Sequence, residues 1–143
     1  MSSITLADAN KIIEAALKKG RAASMAPLAV TVLDAGGHLV AYQREDNTST
    51  MRFQISSGKA NACLAMGLGG RKLLERSSTQ PIFMNALQAA SNGRFFPMRG
   101  GVLVRDANNG IIGAVGVSGD TSENDEECAL AGIAAAGLVA DPG

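Results

Sequence analysis

Two pairs of apolar segments, each joined by a short turn, constrain the fold of this chain most strongly. Leu28–Leu33 reads LAVTVL, and the turn sequence DAGG leads back through His38–Arg44. Arg99–Arg105 and Ile111–Val117 flank the turn sequence DANNG in the same way. Gly and Asn adopt the positive φ angles that tight turns require. The pattern predicts two β-hairpins, which must share one antiparallel sheet because an isolated hairpin is barely stable.

Helical patterns surround and separate these hairpins. Thr5 and Asp8 resemble a capping box at the start of the first helix, and Pro81 suits the first position of another. Ser122 is the expected cap of the last helix, which the terminal sequence DPG stops. The predicted helices cover residues 6–23, 49–66, 71–78 and 81–91, and one that starts at 122. This order indicates an α/β chain of the α+β type, with helices covering at least one face of the sheet.

The length of the chain favours a single domain, and its charge makes nucleic-acid binding unexpected. A chain of 143 residues fits a single domain over residues 1–143. The 13 basic and 13 acidic residues cancel, and no run holds five like charges. Nucleic-acid binding is therefore not expected, because it requires a basic patch. The same balance leaves little repulsion between copies, so self-association is not opposed.

The sequence lacks the usual motifs of nucleotide binding, of zinc binding and of a catalytic triad. Neither a phosphate-binding loop nor the GxGxxG dinucleotide pattern occurs in the expected context. One histidine, His38, lies in a turn and is expected at the surface; with two distant cysteines it makes neither a zinc site nor a catalytic triad. Cys63 and Cys128 are expected to be buried thiols of a reducing compartment.

The location that the sequence favours is the cytoplasm. The first residues, MSSITLADANKII, lack the charged and apolar regions of a signal peptide. No run approaches the 18 apolar residues of a membrane-spanning helix, so no membrane association is expected.

The second helix carries a polar stripe. Arg52, Ser56, Lys59 and Cys63 are spaced i, i+4, i+7 and i+11 and therefore share one face. Met51, Ile55, Ala62 and Met66 form an apolar face. The polar stripe is either an ordinary solvated face or a face that holds a carboxylate and runs into a cleft or a partner surface.

Two further segments are candidate site elements. Gly100-Gly101 before an apolar strand exposes backbone N–H groups to a ligand, or forms a bulge. Asp125 and Glu126 lie in a polar corner where acidic residues complement the helix dipole. They could also act as acid or base.

In this order, the segments VTVLDAGGHLVAYQRED, SSGKANA, RGGVLVRD and IIGAVGVSGDTSENDEECA resemble the GlcG/HbpS-like family over nearly the whole chain. That family includes haem-binding extracellular proteins and the C-terminal domain of PduO-type proteins. The resemblance implies a profilin-like antiparallel sheet of about five strands flanked by helices. It also implies homo-oligomers, from dimers to octamers, and binding of haem or another tetrapyrrole.

The residues that match the family pattern and the polar stripe together give the expected ligand site. It consists of Arg44, Arg52, Ser56, Lys59, Gly100 and Gly101, with Lys59, Asp125 and Glu126 as catalytic candidates. Haem-binding members can use a histidine as axial ligand, whereas the N-terminal helix here has Lys18 and Lys19 and no histidine. The chain therefore departs from the family at that position.

Three functions remain open on the sequence alone. The first is a cytoplasmic, oligomeric protein that binds a small ligand such as haem. The second is a metal-independent enzyme in which Arg44 and Lys59 hold a carboxylate substrate while Asp125 or Glu126 moves a proton. The third is a purely structural subunit. The first two require Lys59 and the Gly100-Gly101 pair to face a common cavity.

Overall fold

Four of the five strands come from the two predicted hairpins, which share one sheet. The computed structural model describes residues 3–143. Met1 and Ser2, the first two residues of the segment considered above for a signal peptide, lie outside the described residues. The strands are β1 (Ala29–Asp34), β2 (Leu39–Arg44), β3 (Gly101–Arg105), β4 (Ile111–Ser118) and β5 (Val139–Asp141). Their order is β2-β1-β4-β3-β5, and every pair is antiparallel. The predicted fold class is confirmed.

The helices cover both faces of the sheet. They are α1 (Leu6–Ala22), α2 (Arg52–Met66), α3 (Gly70–Thr79), α4 (Pro81–Ala90) and α5 (Ser122–Ala135). Helices α1 and α5 pack against each other and bury a core of Val, Ile and Ala on one face. Helix α2 packs on the other face with α3 beside it, around a smaller cluster that includes Leu103 and Phe95. The core therefore has two layers, one on each face of the sheet.

The capping residues and the proline predicted from the sequence lie at or next to the observed starts of the helices. Thr5 caps α1 by accepting a hydrogen bond from the Asp8 backbone N–H at 3.1 Å, and Pro81 is the first residue of α4. The cap of α5 is Thr121 rather than Ser122, because the Thr121 hydroxyl accepts from the Asn124 N–H at 3.2 Å.

The end of the chain differs from the prediction. Helix α5 does not continue to the terminal DPG sequence but ends at Ala135, and Gly137 turns the chain with a φ of 73°. Residues 139–141 then pair with Leu103, Val104 and Arg105 of β3. The pattern of Ala and Leu at helical spacing extends past residue 135, but β3 would otherwise be an unpaired edge, and tertiary pairing overrides helix propensity there.

Candidate functional site

One row of residues runs across the sheet beneath α2. Gly101 pairs with Gly116, Gly116 with Thr31, and Thr31 with Tyr42, so the row goes from β3 to β2. A Cβ on Gly101 would lie 2.6 Å from the Lys59 carbonyl oxygen, and one on Gly116 would overlap the helix backbone at Ser56. The side chains along this row therefore increase in size, from the glycines of β3 and β4 to the tyrosine of β2. Helix α2 touches the sheet at one end of the row and leaves space at the other.

This close approach buries most of the polar stripe of α2. Ser56 is fully buried, and its hydroxyl lies 2.7 Å from the Thr31 hydroxyl. Lys59 is 3% exposed and Cys63 is fully buried. The interpretation of the stripe as a solvated face is therefore wrong. Met51 at the start of the apolar stripe is 60% exposed.

Lys59 reaches past the end of the sheet to the opposite helical layer. Its ammonium donates to the Val117 carbonyl at 2.9 Å and to Asp125 Oδ2 at 3.0 Å, while Asp125 Oδ1 accepts from the Asp120 N–H at 2.9 Å. Burial lowers the pKa of Lys59 and raises the pKa of Asp125, and the attraction between the two charges opposes both shifts. The pair ties α2 to the first turn of α5.

Gly100 makes room for this ion pair. It has a φ of 102°, and a Cβ there would lie 2.7 Å from the Lys59 ammonium nitrogen. Lys59 and the Gly100-Gly101 pair are therefore neighbours, as expected, but the lysine side chain fills the space between them. The Lys59 ammonium therefore occupies the place where the sequence predicts a shared cavity.

Glu126 forms a second, adjacent cluster. Its fully buried carboxylate accepts from Arg71 Nε at 2.9 Å, from Arg71 Nη2 at 2.7 Å and from Arg99 Nη2 at 2.9 Å. Burial alone would raise the pKa of Glu126, but the hydrogen bonds and charges of the two arginines outweigh burial and hold the pKa below its usual value of 4.5. The side chains of Arg71 and Arg99 remain 45% and 29% exposed.

An open groove lies over these two arginines. Its volume is about 610 Å³, and it is lined by Arg71, Leu74, Glu75, Ser77, Ser78 and Arg99. Leu74 is 40% exposed and gives the groove an apolar wall. Glu126 binds both guanidinium groups on their buried side, and the exposed parts of the two groups can donate to a ligand that bears carboxylates.

Arg44 and Arg52, the other predicted cations, lie at the same end of the sheet as Lys59 but do not line the groove over Arg71 and Arg99. Arg44 ends β2, and its cross-strand partner Ala29 also pairs with Ser118. Arg52 donates to the Ser118 hydroxyl at 2.8 Å. A cleft of about 320 Å³ separates the end of β2 from the start of α2, and Arg44 lies in its wall. The predicted residues therefore occupy one end of the molecule without forming one pocket, and their roles in ligand binding stay predictions.

The residues that the sequence did not single out are Arg71 and Arg99. Arg99 directly precedes Gly100-Gly101, and Arg71 follows the glycines that end α2. A weak signal was available, because two adjacent acidic residues at a helix start need cations if they are buried. Which cations they meet depends on how α3 and the segment before β3 fold back onto α5.

The remaining predictions concern His38, the cysteines and metals. His38 is 81% exposed in the β1–β2 turn, and its ring lies 3.2 Å from Asp34. Both cysteines are free and buried, as expected. Within residues 3–143, no cluster of three or more His, Cys, Asp or Glu side chains could hold a metal ion. None of the helices in that range is long and apolar enough to cross a membrane.

Comparison with known proteins identifies the family. A sequence model described as haem degrading protein HbpS-like matches residues 4–134. The chain belongs to the HbpS-like family. An uncharacterised 15.0 kDa protein from the dhaT-dhaS intergenic region of Citrobacter freundii is 32% identical over 126 residues, which cover 87% of this chain and 86% of that protein.

Solved structures share the HbpS-like fold. Klebsiella pneumoniae protein ORFY, of family DUF336, is 30% identical with a TM-score of 0.84, over 96% of this chain and 92% of that one. A PduOC–heme complex aligns over 96% and 97% of the two chains with a TM-score of 0.85 at 22% identity. HbpS aligns over 94% and 90% with a TM-score of 0.80 at 22% identity. At 22% identity these last two similarities establish the fold.

Proposed function

We propose that this HbpS-like protein binds a carboxylate-bearing planar ligand, with haem or another tetrapyrrole as the first candidate, in the groove over Arg71 and Arg99. The family and the heme complex of PduOC motivate the ligand class. The observation that carries the site is the pair of partly exposed guanidinium groups that buried Glu126 holds side by side. Haem carries two propionate groups, which suit two arginine donors.

The groove offers donors to the propionates of haem and an apolar contact to its ring, but it offers no histidine to the iron. Its volume of about 610 Å³ lies within the ~300–1,000 Å³ range of ligand pockets, and Leu74 supplies an apolar contact. The lining residues hold no His, Cys or Met. His38 lies in the hairpin turn at the far end of six-residue β1, about 20 Å along the strand. In this proposal Arg71, Arg99 and Leu74 would bind and orient the ligand, and His38 of the same chain would lie too far away to contact it.

Haemin titration tests this function directly. We expect a saturable shift of the Soret band, and we expect haemin dimethyl ester, which lacks free carboxylates, to bind at least about tenfold more weakly. Leu74→Glu should weaken haemin binding by a similar factor through repulsion of the propionates, without disturbing the Glu126 cluster. Leu6→Glu is the matched control, because Leu6 is an exposed leucine (59%) on α1, outside the groove. Equal binding by all variants, or no saturable shift, would contradict the proposal.

Self-association is the second part of the proposal. Helix α4 buries Met84 but leaves Ile82 87% and Phe83 50% exposed, and the formal net charge of zero does not oppose contact between copies. Light scattering after gel filtration should give a mass above 14.6 kDa for the wild type and a smaller mass for Phe83→Glu. A monomeric wild type would contradict this part. A cytoplasmic location, which the two free thiols favour, can be tested by cell fractionation.

The enzymatic alternative receives less support. Asp125 and Glu126 are 1% and 0% exposed, and each is already bonded to a cation of the chain. A general acid or base must lie within hydrogen-bond reach of its substrate. Neither carboxylate lines the groove over Arg71 and Arg99 or the cleft beside Arg44, so we keep ligand binding as the function that the geometry favours.

A further inference from the structure

We propose that the cleft between β2 and the start of α2 is a second ligand site, which takes a small aromatic carboxylate. The cleft has a volume of about 320 Å³ and is lined by Tyr42, Arg44, residues 48–50, Phe53 and Gln54. It does not share a lining residue with the groove over Arg71 and Arg99. The space exists because the row beneath α2 ends in Tyr42 rather than glycine, which holds the start of the helix away from the sheet.

The side chains that line this cleft carry positive charge and favour an anionic ligand. Its lining contains no Asp or Glu. Among residues 3–143, Arg44 has neither an ion-pair partner nor a hydrogen bond from its side chain. Arg52, behind the wall, donates to the hydroxyls of Ser49 and Ser118, both at 2.8 Å, and meets no carboxylate there. Two uncompensated guanidinium groups at one cleft favour a carboxylate, which accepts the planar donor fork of arginine.

A buried hydroxyl in the wall lacks a partner. Thr48 Oγ1 is inaccessible to solvent and makes no hydrogen bond within the described part of the chain. Buried polar atoms without a partner are rare in folded proteins, and a bound group is one of the ordinary explanations. Because solvent does not reach Thr48 Oγ1, a carboxylate in the cleft contacts Arg44 directly and reaches this hydroxyl only when residues 48–50 shift on binding.

The opposite wall suits an aromatic ring. Tyr42 and Phe53 meet edge to face, with ring centroids 4.8 Å apart and an angle of 81° between the planes. Phe53 is 39% exposed, so part of the ring is open to a ligand. The cleft volume lies at the lower end of the ~300–1,000 Å³ range of ligand pockets, which favours a compound with a single ring.

Benzoate is the probe for this site, and benzyl alcohol is its uncharged counterpart. We expect saturable benzoate binding by NMR titration, with the largest shifts at Phe53 and Gln54, and no comparable binding of benzyl alcohol. Arg44→Gln should weaken benzoate binding about tenfold or more, and Thr48→Val about threefold. Arg76→Gln on α3, outside the cleft, is the control and should bind benzoate as the wild type does.

Four results would overturn the second site. The first is an absence of saturable benzoate binding by the wild type, and the second is equal binding of benzoate and benzyl alcohol. The others are equal binding by the Arg44→Gln and Arg76→Gln variants, and shifts at Leu74 and Ser77 instead of Phe53. None of these outcomes depends on haemin, so this site and the groove are tested independently.

Discussion

Gly101 and Gly116 face each other across β3 and β4, and the backbone of α2 rests directly on this pair. The contact sets the height of α2 over the sheet. It therefore decides that Lys59 is buried beside Gly100, whereas Phe53, six residues earlier on the same helix, borders an open cleft.

Replacing Gly116 with alanine should destabilise the protein strongly. A Cβ would overlap the backbone of Ser56, which cannot move without lifting α2. We expect a loss of about 3 kcal/mol in the free energy of unfolding, at the upper end of overpacking costs. Urea denaturation measures it. Gly36→Ala is the control, since its Cβ would meet the movable ring of His38 at 2.9 Å, and a loss within about 0.5 kcal/mol is expected there.

Replacing one member of the Lys59–Asp125 ion pair should destabilise the fold strongly, whereas replacing both members should cost less than the two single changes together. Lys59→Met leaves the buried carboxylate without its cation and should cost about 3–5 kcal/mol of unfolding free energy. The double variant Lys59→Met, Asp125→Leu should cost less than the sum of the two single changes. A double-mutant cycle by urea denaturation measures this coupling. Strict additivity would show that the two charges do not stabilise each other.

Acid should weaken the fold partly through Glu126. Its pKa is lower in the folded than in the unfolded chain, so its contribution to stability is present above its usual value of 4.5 and is lost as the pH falls through the folded pKa. We expect Glu126→Gln to be less stable at neutral pH and to approach the wild type in acid. Unfolding curves between about pH 6 and about pH 2 test this. Glu75→Gln, an exposed groove residue, should instead follow the wild type at every pH.

Both thiols should be unreactive while the protein is folded. Burial raises the pKa of Cys63 to about 12 and that of Cys128 to about 11, and the thiolate is the reactive form. Ellman's reagent at about pH 8 should therefore report no fast thiol in the native protein and two after denaturation. Rapid native labelling of either cysteine would contradict the packing described for it.

The amino-acid sequence determined the two hairpins, the antiparallel pairing and nearly every helix, because turn glycines, caps and apolar spacing act over a few residues. It also named Arg44, Lys59, Gly100 and Asp125 as candidate site residues, and the structure places all four at one end of the molecule. Local pattern could not tell that the last helix stops at Ala135, since the partner of residues 139–141 lies more than thirty residues away in β3.

Only the tertiary structure decided which charged side chains remain accessible to a ligand. Lys59 and Arg44 look alike in sequence as candidate carboxylate ligands, yet one is 3% exposed and paired with Asp125 while the other borders an open cleft. The difference arises from glycines on two neighbouring strands that let α2 descend onto one side of the sheet. Such a contact joins residues far apart in the chain, and its steric consequences appear only when the helix and the strands are in place.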